Sequence, residues 1–322
     1  MRIGSQIHNA VAFLGFPDRT APGGIRCEGT GFFLHYKEQG YLITVRHVAR
    51  VLDGSPFVMR VNKLNGAGAQ LLDVDTSNWL FHPDPTVDIA AIQMPLTTGT
   101  GIDAHYFLEH DLITPDKMQD DEFDVGDFCY TVGLFRYIYG KQINFPLVHS
   151  GNIALMPPKG ETIPVFNKET KTVEQVEGYL IESRAIEGAS GSPVFARGTI
   201  KADLGLRDTK TMEKAVPLFG DSKFGLLGVY QGAWFLPPDA TLADGLKIPN
   251  DVNVPVGIGV VVPAIKILEV LETDTMRKTS EDKSTAAQMT SVSAPTTAAN
   301  PTHREDFKSL LTKAAKTPPQ DD

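Results

Sequence analysis

Ser190 lies in a glycine-bracketed turn that is suited to nucleophilic chemistry. The stretch 187–195 reads Glu-Gly-Ala-Ser-Gly-Ser-Pro-Val-Phe and runs into an apolar, strand-like segment. Glycine at positions 188 and 191 permits backbone conformations that residues with a Cβ rarely adopt, so a tight loop can expose the Ser190 hydroxyl. The same turn can direct the amides of Gly188 and Ser190 to one place, where a developing oxyanion would be held. Taken alone, the stretch also fits a glycine–serine hairpin turn without a chemical role.

The best candidate for a base is His47, which follows the apolar run 41–45 at a point where a short helical turn begins. A serine hydroxyl is a weak nucleophile near neutral pH and needs a neighbouring base to take its proton. The end of a strand holds a side chain rigidly at a surface or cleft, which suits a general base. A half-buried histidine that hydrogen-bonds to the backbone is the alternative.

An imidazole base needs an acidic partner that holds its tautomer and stabilises the imidazolium form. Asp88 opens the apolar segment 88–92 and follows the loop 82–87. A carboxylate at the start of an apolar strand is partly buried and therefore requires a partner. Asp84 competes for this role, but it stands between two prolines in a predicted exposed turn, so Asp88 is preferred. An ordinary turn aspartate is the alternative for Asp88.

Composition limits the other functions that this chain can have. The 322 residues are 42% hydrophobic, which allows one large core or two smaller ones. A formal net charge of -9 argues against non-specific nucleic-acid binding. The two cysteines make no disulfide framework, and no phosphate-binding glycine loop or metal-ligand spacing occurs, so we expect no cofactor and no metal. No signal peptide and no run of ~18 apolar residues is found, which predicts a cytoplasmic protein without membrane contact.

Short apolar runs punctuated by Gly, Pro, Asn and Asp predict an all-β fold of antiparallel strands. The predicted strands are 10–16, 31–36, 41–45, 56–61, 69–74, 88–94, 128–134, 143–154, 179–183, 193–196, 224–231 and 258–262. A polar segment near 95–123 separates two halves, and 199–222 and 235–255 have the composition of surface loops. Residues 264–273 predict a closing helix, with Pro263 at its start.

These residues occur in an order that resembles the chymotrypsin-like serine proteases, especially their bacterial trypsin-like and HtrA-like branch. The order is His47, Asp88, Ser190, and the turn 188–193 is similar to the Gly-x-Ser-Gly-Gly-Pro motif of that family. Further stretches resemble its strands, namely Gly29–Leu34, Leu42–Val48, Asp88–Ala90, Gly126–Gly133, Gly228–Gly232 and Gly257–Val260. Together they cover about residues 9–272.

The resemblance implies a protease domain over 1–272 with two six-stranded antiparallel β-barrels, at about 9–110 and 123–262. It implies a serine endopeptidase in which Ser190 attacks a polypeptide, His47 moves the proton and Asp88 orients the histidine. The amides of Gly188 and Ser190 would form the oxyanion hole. A protease-shaped binding module without turnover is the alternative, although such a module has no need to retain all three residues. An α/β-hydrolase esterase is excluded by the order of the three residues.

The resemblance also implies which residues contact the substrate. Arg184 would lie at or near the floor of the primary pocket and Glu187 near its rim, favouring an acidic or polar residue before the scissile bond. Arg184 pointing outward, or pairing with a neighbouring glutamate, is the alternative. Gly259 would form a wall of the pocket. The strand that pairs with the substrate backbone would contribute Tyr230, Gln231 and Gly232.

Two positions depart from the family pattern. Ser192 stands where the family has a second glycine, outside the expected oxyanion pair, so activity should survive. Ala189 stands where an Asp or Asn usually precedes the nucleophile, which leaves open how the loop is held in its active shape.

The C-terminal residues differ in composition from the rest of the chain. Residues 273–301 are rich in Thr, Ser, Ala and Lys, which predicts a disordered linker. Residues 302–316 carry a capping box and an apolar stripe at helical spacing, which predicts a short amphipathic helix. We expect this helix to bind a protein partner, with a solubilising tail as the alternative.

Overall fold

Strands are the predominant regular secondary structure in the residues that the computed structural model describes, namely 5–74, 78–94, 101–119, 123–167, 170–198, 223–236 and 254–274. These residues lie within one compact unit, 1–275. The strands are β1 (Val11–Pro17), β2 (Ile25–Tyr36), β3 (Gln39–Thr44), β4 (Phe57–Asn62), β5 (Ala69–Val74), β6 (Leu80–Phe81), β7 (Ala90–Gln93), β8 (Phe107–Leu108), β9 (Phe128–Gly133), β10 (Leu147–Leu155), β11 (Ile163–Asn167), β12 (Thr172–Val176), β13 (Tyr179–Glu182), β14 (Pro193–Arg197), β15 (Phe224–Phe235) and β16 (Pro255–Pro263).

The N-terminal half forms one sheet of eight strands. Its order is β5-β4-β1-β2-β3-β7-β6, and β8 pairs in parallel with β2. A closed six-stranded barrel is expected here from the sequence, whereas the described strands pair along an open path. The two extra strands, β6 and β8, have two residues each, and segments this short produce no recognisable period in a sequence.

The C-terminal half contains a closed six-stranded barrel with the order β10-β13-β16-β15-β14-β9. All of its strand pairs are antiparallel, in agreement with the predicted all-β class. A separate hairpin of β11 and β12 lies outside the barrel and is not among the strands that the sequence predicts. Its first strand contains Pro164, and its second contains the polar residues Thr172, Glu174 and Gln175, so neither has a continuous apolar pattern.

Four α-helices lie in the described ranges: α1 (Ser5–Asn9), α2 (Arg46–Leu52), α3 (Pro115–Gln119) and α4 over 265–274. The position of α4 agrees with the predicted closing helix, and it buries Ile267, Leu268, Val270 and Leu271. No described helix has the length and apolar character needed to cross a bilayer.

Three buried apolar clusters lie within the described residues. The largest contains residues of the N-terminal sheet, of four barrel strands and of α4. The second lies in the barrel, and the third joins the hairpin of β11 and β12 to Val260. Burial of this apolar area is the main favourable contribution to the packing of these elements. The predicted linker 273–301, apart from its first two residues, and the predicted helix 302–316 lie outside the described residues.

Candidate active site

Asp88 contacts His47 through both of its carboxylate oxygens. Oδ2 lies 2.7 Å from His47 Nδ1, and the backbone amide of His47 donates to Oδ1 over 2.9 Å. The Asp88 side chain is 13% exposed and the His47 side chain 38% exposed. Because a carboxylate only accepts hydrogen bonds, Nδ1 carries a proton and Nε2 is the basic nitrogen of the neutral ring.

Asp84 has a different set of partners. Its Oδ1 accepts hydrogen bonds from the amide of Thr86 over 2.8 Å and from the hydroxyl of Thr86 over 2.7 Å. The bond from the Thr86 hydroxyl, and to a smaller extent the bond from the Thr86 amide, lowers the pKa of the Asp84 carboxyl below its ordinary value. Of the two aspartates that the sequence proposed, the structure therefore brings Asp88 against His47 and leaves Asp84 in its own turn.

Arg46 holds the loop that leads to Asp88. Its guanidinium donates to the carbonyl of His82 and, over 3.0 Å, to the carbonyl of Asp84. It also lies over the ring of Phe81, 5.6 Å from the ring centre. Arg46 is 8% exposed, and burial lowers its pKa. Sequence reasoning missed this residue, although an arginine directly after an apolar strand was the available signal.

The same loop is anchored to α4 through His82. Its Nδ1 accepts from the amide of Asp84 over 3.1 Å, so Nε2 carries the proton that Glu269 Oε2 accepts over 2.8 Å. Lys266 Nζ forms ion pairs with Glu269 Oε1 over 3.2 Å and with Glu177 Oε2 over 2.8 Å. The position of the loop before Asp88 thus depends on contacts with α2 and with α4.

Ser190 lies in the turn between β13 and β14, and its hydroxyl donates to the carbonyl of Gln231 over 3.0 Å. His47, Asp88 and Ser190 all line one cleft with a volume of about 590 Å³. His47 enters it from α2 and Asp88 from the loop before β7, and Ser190 enters it from the turn between two barrel strands. The three residues, which are far apart in the sequence, are therefore brought to one place.

The amides of the serine turn fall into two groups. Those of Ala189, Gly191 and Ser192 each donate to a backbone carbonyl. Within the described residues, the amides of Gly188 and Ser190 donate no hydrogen bond to the protein. Those two amides are therefore the ones available to an oxygen atom of a ligand.

Thr30 is the residue that ties the serine turn to the N-terminal sheet. Its amide donates to the carbonyl of Ser190 over 2.9 Å, and its hydroxyl donates to the carbonyl of Gly188 over 2.9 Å. The same hydroxyl accepts from the amide of Leu134 over 2.8 Å. The carbonyl of Thr30 accepts from the Thr44 hydroxyl over 2.7 Å. Thr30 is completely buried, so these bonds are shielded from water.

A second contact orients the amide of Gly188. The carbonyl of Glu187 accepts from the amide of Arg136 over 3.0 Å. In a trans peptide the C=O and N–H point in opposite directions, so this bond directs the Gly188 amide away from Arg136. Ala189 is 6% exposed and packs in the barrel core. The turn is thus held by Thr30 and Arg136, without an acidic residue before the serine.

Two close approaches explain the residues that follow the serine. Gly191 has a φ of 87°, and a Cβ there would lie 2.0 Å from the carbonyl oxygen of Thr30, so only glycine fits. The Ser192 side chain is completely buried against Gly133, where a Cβ would lie 1.7 Å from its oxygen. The absence of a side chain at Gly133 makes room for serine at this position.

The predicted substrate residues divide into those that line the cleft and those that do not. Glu187, Gln231 and Gly232 line it, and Tyr230 lines it although that residue is 1% exposed. Arg184 is exposed and is not among the lining residues, and Gly259 is covered by the ring of Tyr230. The hairpin of β11 and β12, which the sequence does not predict, adds Val165, Phe166, Asn167, Glu174 and Val176 to the cleft wall.

Within the described ranges, no group of three or more His, Cys, Asp or Glu side chains is arranged to hold a metal ion. His47, Asp88 and Ser190 supply an imidazole, a carboxylate and a hydroxyl to the cleft.

No protein-family model and no curated protein matches this sequence. Among solved structures, the chain is similar to the Rv3671c protease of M. tuberculosis. The inactive form of that protein is 14% identical, with a TM-score of 0.41 over 84% of this chain and 90% of the other. The active form is 14% identical, with a TM-score of 0.42 over 83% and 82%. At these values the assignment of a function depends on the site itself.

Proposed function

We propose that this chain is a serine endopeptidase with His47, Asp88 and Ser190 as its catalytic triad. The observation that carries the proposal is the double contact of Asp88 with His47 in a cleft that Ser190 also lines. A carboxylate that accepts from both the ring and the backbone of one histidine orients that ring, which is the task of the acid in such a triad.

The reaction follows from the atoms of the site. The Ser190 hydroxyl turns from the carbonyl of Gln231 toward His47 Nε2. Ser190 Oγ then attacks the carbonyl carbon of the scissile peptide bond while its proton passes to that nitrogen. Asp88 stabilises the imidazolium that forms, and the amides of Gly188 and Ser190 hold the oxyanion. The imidazolium then protonates the leaving amine as the C–N bond breaks. Water attacks the acyl-enzyme in the second half, with His47 again as the base, and releases the acid product.

The two halves of the described chain are consistent with a chymotrypsin-like arrangement, which we include in the proposal. In that architecture the first half supplies the histidine and the aspartate and the second half supplies the serine. His47, Asp88 and Ser190 are distributed in the same way. The buried bonds of Thr30 to the serine turn support it as well, because they join the two halves directly beside the nucleophile.

The test is covalent labelling with a fluorophosphonate probe. The wild-type chain is expected to be labelled at Ser190, and Ser190→Ala and His47→Ala are expected to lose labelling and peptide hydrolysis by several orders of magnitude. Ser192→Ala is the matched control, because that serine lies two residues away with a completely buried side chain. Labelling of Ser190→Ala at the wild-type rate would contradict the proposal, and a wild-type chain that binds peptides without labelling or cleavage would favour a binding module.

A further inference from the structure

The backbone of Tyr230 lies directly beside the proposed nucleophile. Its carbonyl accepts from the amide of Gly191 over 2.9 Å, and its amide donates to the carbonyl of Ser192 over 2.8 Å. The carbonyl of the next residue, Gln231, accepts a hydrogen bond from the hydroxyl of Ser190. These three bonds fix Tyr230 on the strand that adjoins the attacking oxygen.

The Tyr230 side chain is directed into the barrel rather than into solvent. Its ring lies against Gly259, where a Cβ would come within 2.5 Å of Cε2. Its hydroxyl oxygen lies 3.4 Å from Ser183 Oγ in a buried contact. It belongs to the buried cluster that includes Ala189, and burial raises its pKa. A rotation of the ring out of this position would expose apolar area and break the contact with Ser183.

The acyl group of a substrate must fit next to this ring. In an acyl-enzyme the side chain of the residue before the scissile bond begins two bonds from the carbon attached to Ser190 Oγ, so it lies within a few ångström of that oxygen. On the barrel side the cleft is lined by Ala185, Ile186, Tyr230 and Val260. A Cβ on Gly232 would lie 4.0 Å from Ser190 Oγ, so that position leaves room for substrate backbone. The ring of Tyr230 occupies the space between the cleft and Gly259.

We infer that Tyr230 closes the pocket for this side chain, so that the protein cleaves after small residues such as Gly, Ala and Ser. The inference rests on the proposed function and adds to it the class of substrate. It replaces Arg184, which is exposed and outside the cleft lining, as the residue that sets specificity.

Two reagents that differ only in one group provide the first test. Methanesulfonyl fluoride and phenylmethanesulfonyl fluoride both react with an activated serine, but the second carries a benzyl group where the first carries a methyl. Wild type is expected to react at least about tenfold faster with the smaller reagent after correction for their intrinsic reactivities. Tyr230→Ala is expected to remove most of this difference, whereas Tyr230→Phe, which keeps the ring, is expected to retain it.

A library of peptides that vary the residue before the scissile bond is the second test. Wild type is expected to prefer Gly, Ala and Ser over Leu and Phe by about 10²-fold in kcat/KM, and Tyr230→Ala to gain at least about tenfold on Leu and Phe. If Tyr230→Ala does not fold, Tyr230→Val and the wild-type profile carry the test. Rapid wild-type cleavage after Leu, Phe, Lys or Arg would overturn the inference while leaving the serine-protease proposal intact. Failure of methanesulfonyl fluoride to modify Ser190 would instead count against the proposed function.

Discussion

The hydroxyl of Thr30 donates a 2.9 Å hydrogen bond to the carbonyl of Gly188, although 158 residues separate them in the chain. Together with the bond from the Thr30 amide to Ser190, it fixes the two carbonyls that flank Ala189. The serine turn therefore takes its shape from the neighbouring sheet. These bonds hold the turn in place, which explains why it needs no acidic residue at position 189.

Replacement of Thr30 tests this arrangement. Thr30→Val keeps the shape but leaves the carbonyl of Gly188 and the amide of Leu134 without their buried partner, which costs about 1–3 kcal/mol for each unsatisfied group. Misaligned oxyanion donors should also lower kcat for a small ester substrate by about 10²-fold. Thr30→Ser, which keeps the hydroxyl, is the control. A loss of unfolding free energy in urea with unchanged kcat would mean that Thr30 serves stability alone.

The two candidate aspartates can be separated by matched replacements. Asp88→Asn is expected to reduce kcat by several orders of magnitude, because an amide can donate to His47 Nδ1 and favour the wrong tautomer. Asp84→Asn is expected to retain turnover, since its side-chain oxygen can still accept from Thr86. Steady-state kinetics on one peptide substrate compares the two. Equal losses in both variants would show that loop structure, rather than the carboxylate at His47, accounts for the effect.

Acid stability should depend on Glu269. Burial alone would raise the pKa of this carboxyl, but hydrogen bonds from His82 and Lys266 outweigh burial, and the pKa is lowered. A carboxyl whose pKa falls on folding contributes stability above its unfolded pKa and loses it as the pH falls through the folded pKa. Part of the unfolding free energy should therefore disappear below about pH 4.

Glu269→Gln is expected to flatten this acid limb in urea unfolding measured across a pH series. The control is Glu272→Gln, an exposed glutamate on the same helix. Parallel pH profiles for Glu269→Gln and wild type would contradict the expected role of the network between α4 and the Asp88 loop.

The two cysteines should act as reporters of unfolding. Both are free and buried, and burial raises the pKa of Cys27 to about 12 and that of Cys129 to about 12. Since the thiolate is the reactive form, neither should react with a disulfide reagent such as dithionitrobenzoate in the native protein near neutral pH. Both should react in guanidinium chloride, at a rate that follows unfolding. Rapid native labelling of either thiol would indicate local opening of its strand.

Local sequence patterns were enough to predict the all-β class, most of the longer strands, the closing helix and the three candidate catalytic residues. Apolar runs and turn residues act over a few neighbouring positions, so they can be read without knowledge of the fold. His47, Asp88 and Ser190 were each identified in this way, from a strand end, a strand start and a glycine turn. The sequence order of those stretches also suggested that they belong together.

Only the tertiary structure decided how these residues are held and what surrounds them. Ser183 is buried, and Arg184, which follows it beyond the end of β13, is exposed and outside the cleft lining, whereas Tyr230 lines the cleft. The hairpin of β11 and β12 has no strong period, yet it forms part of the cleft wall. The contacts of Thr30 with Gly188 and of Arg46 with the Asp88 loop join positions far apart in the chain. Such contacts depend on strand pairing and packing between distant segments, which short-range patterns do not encode.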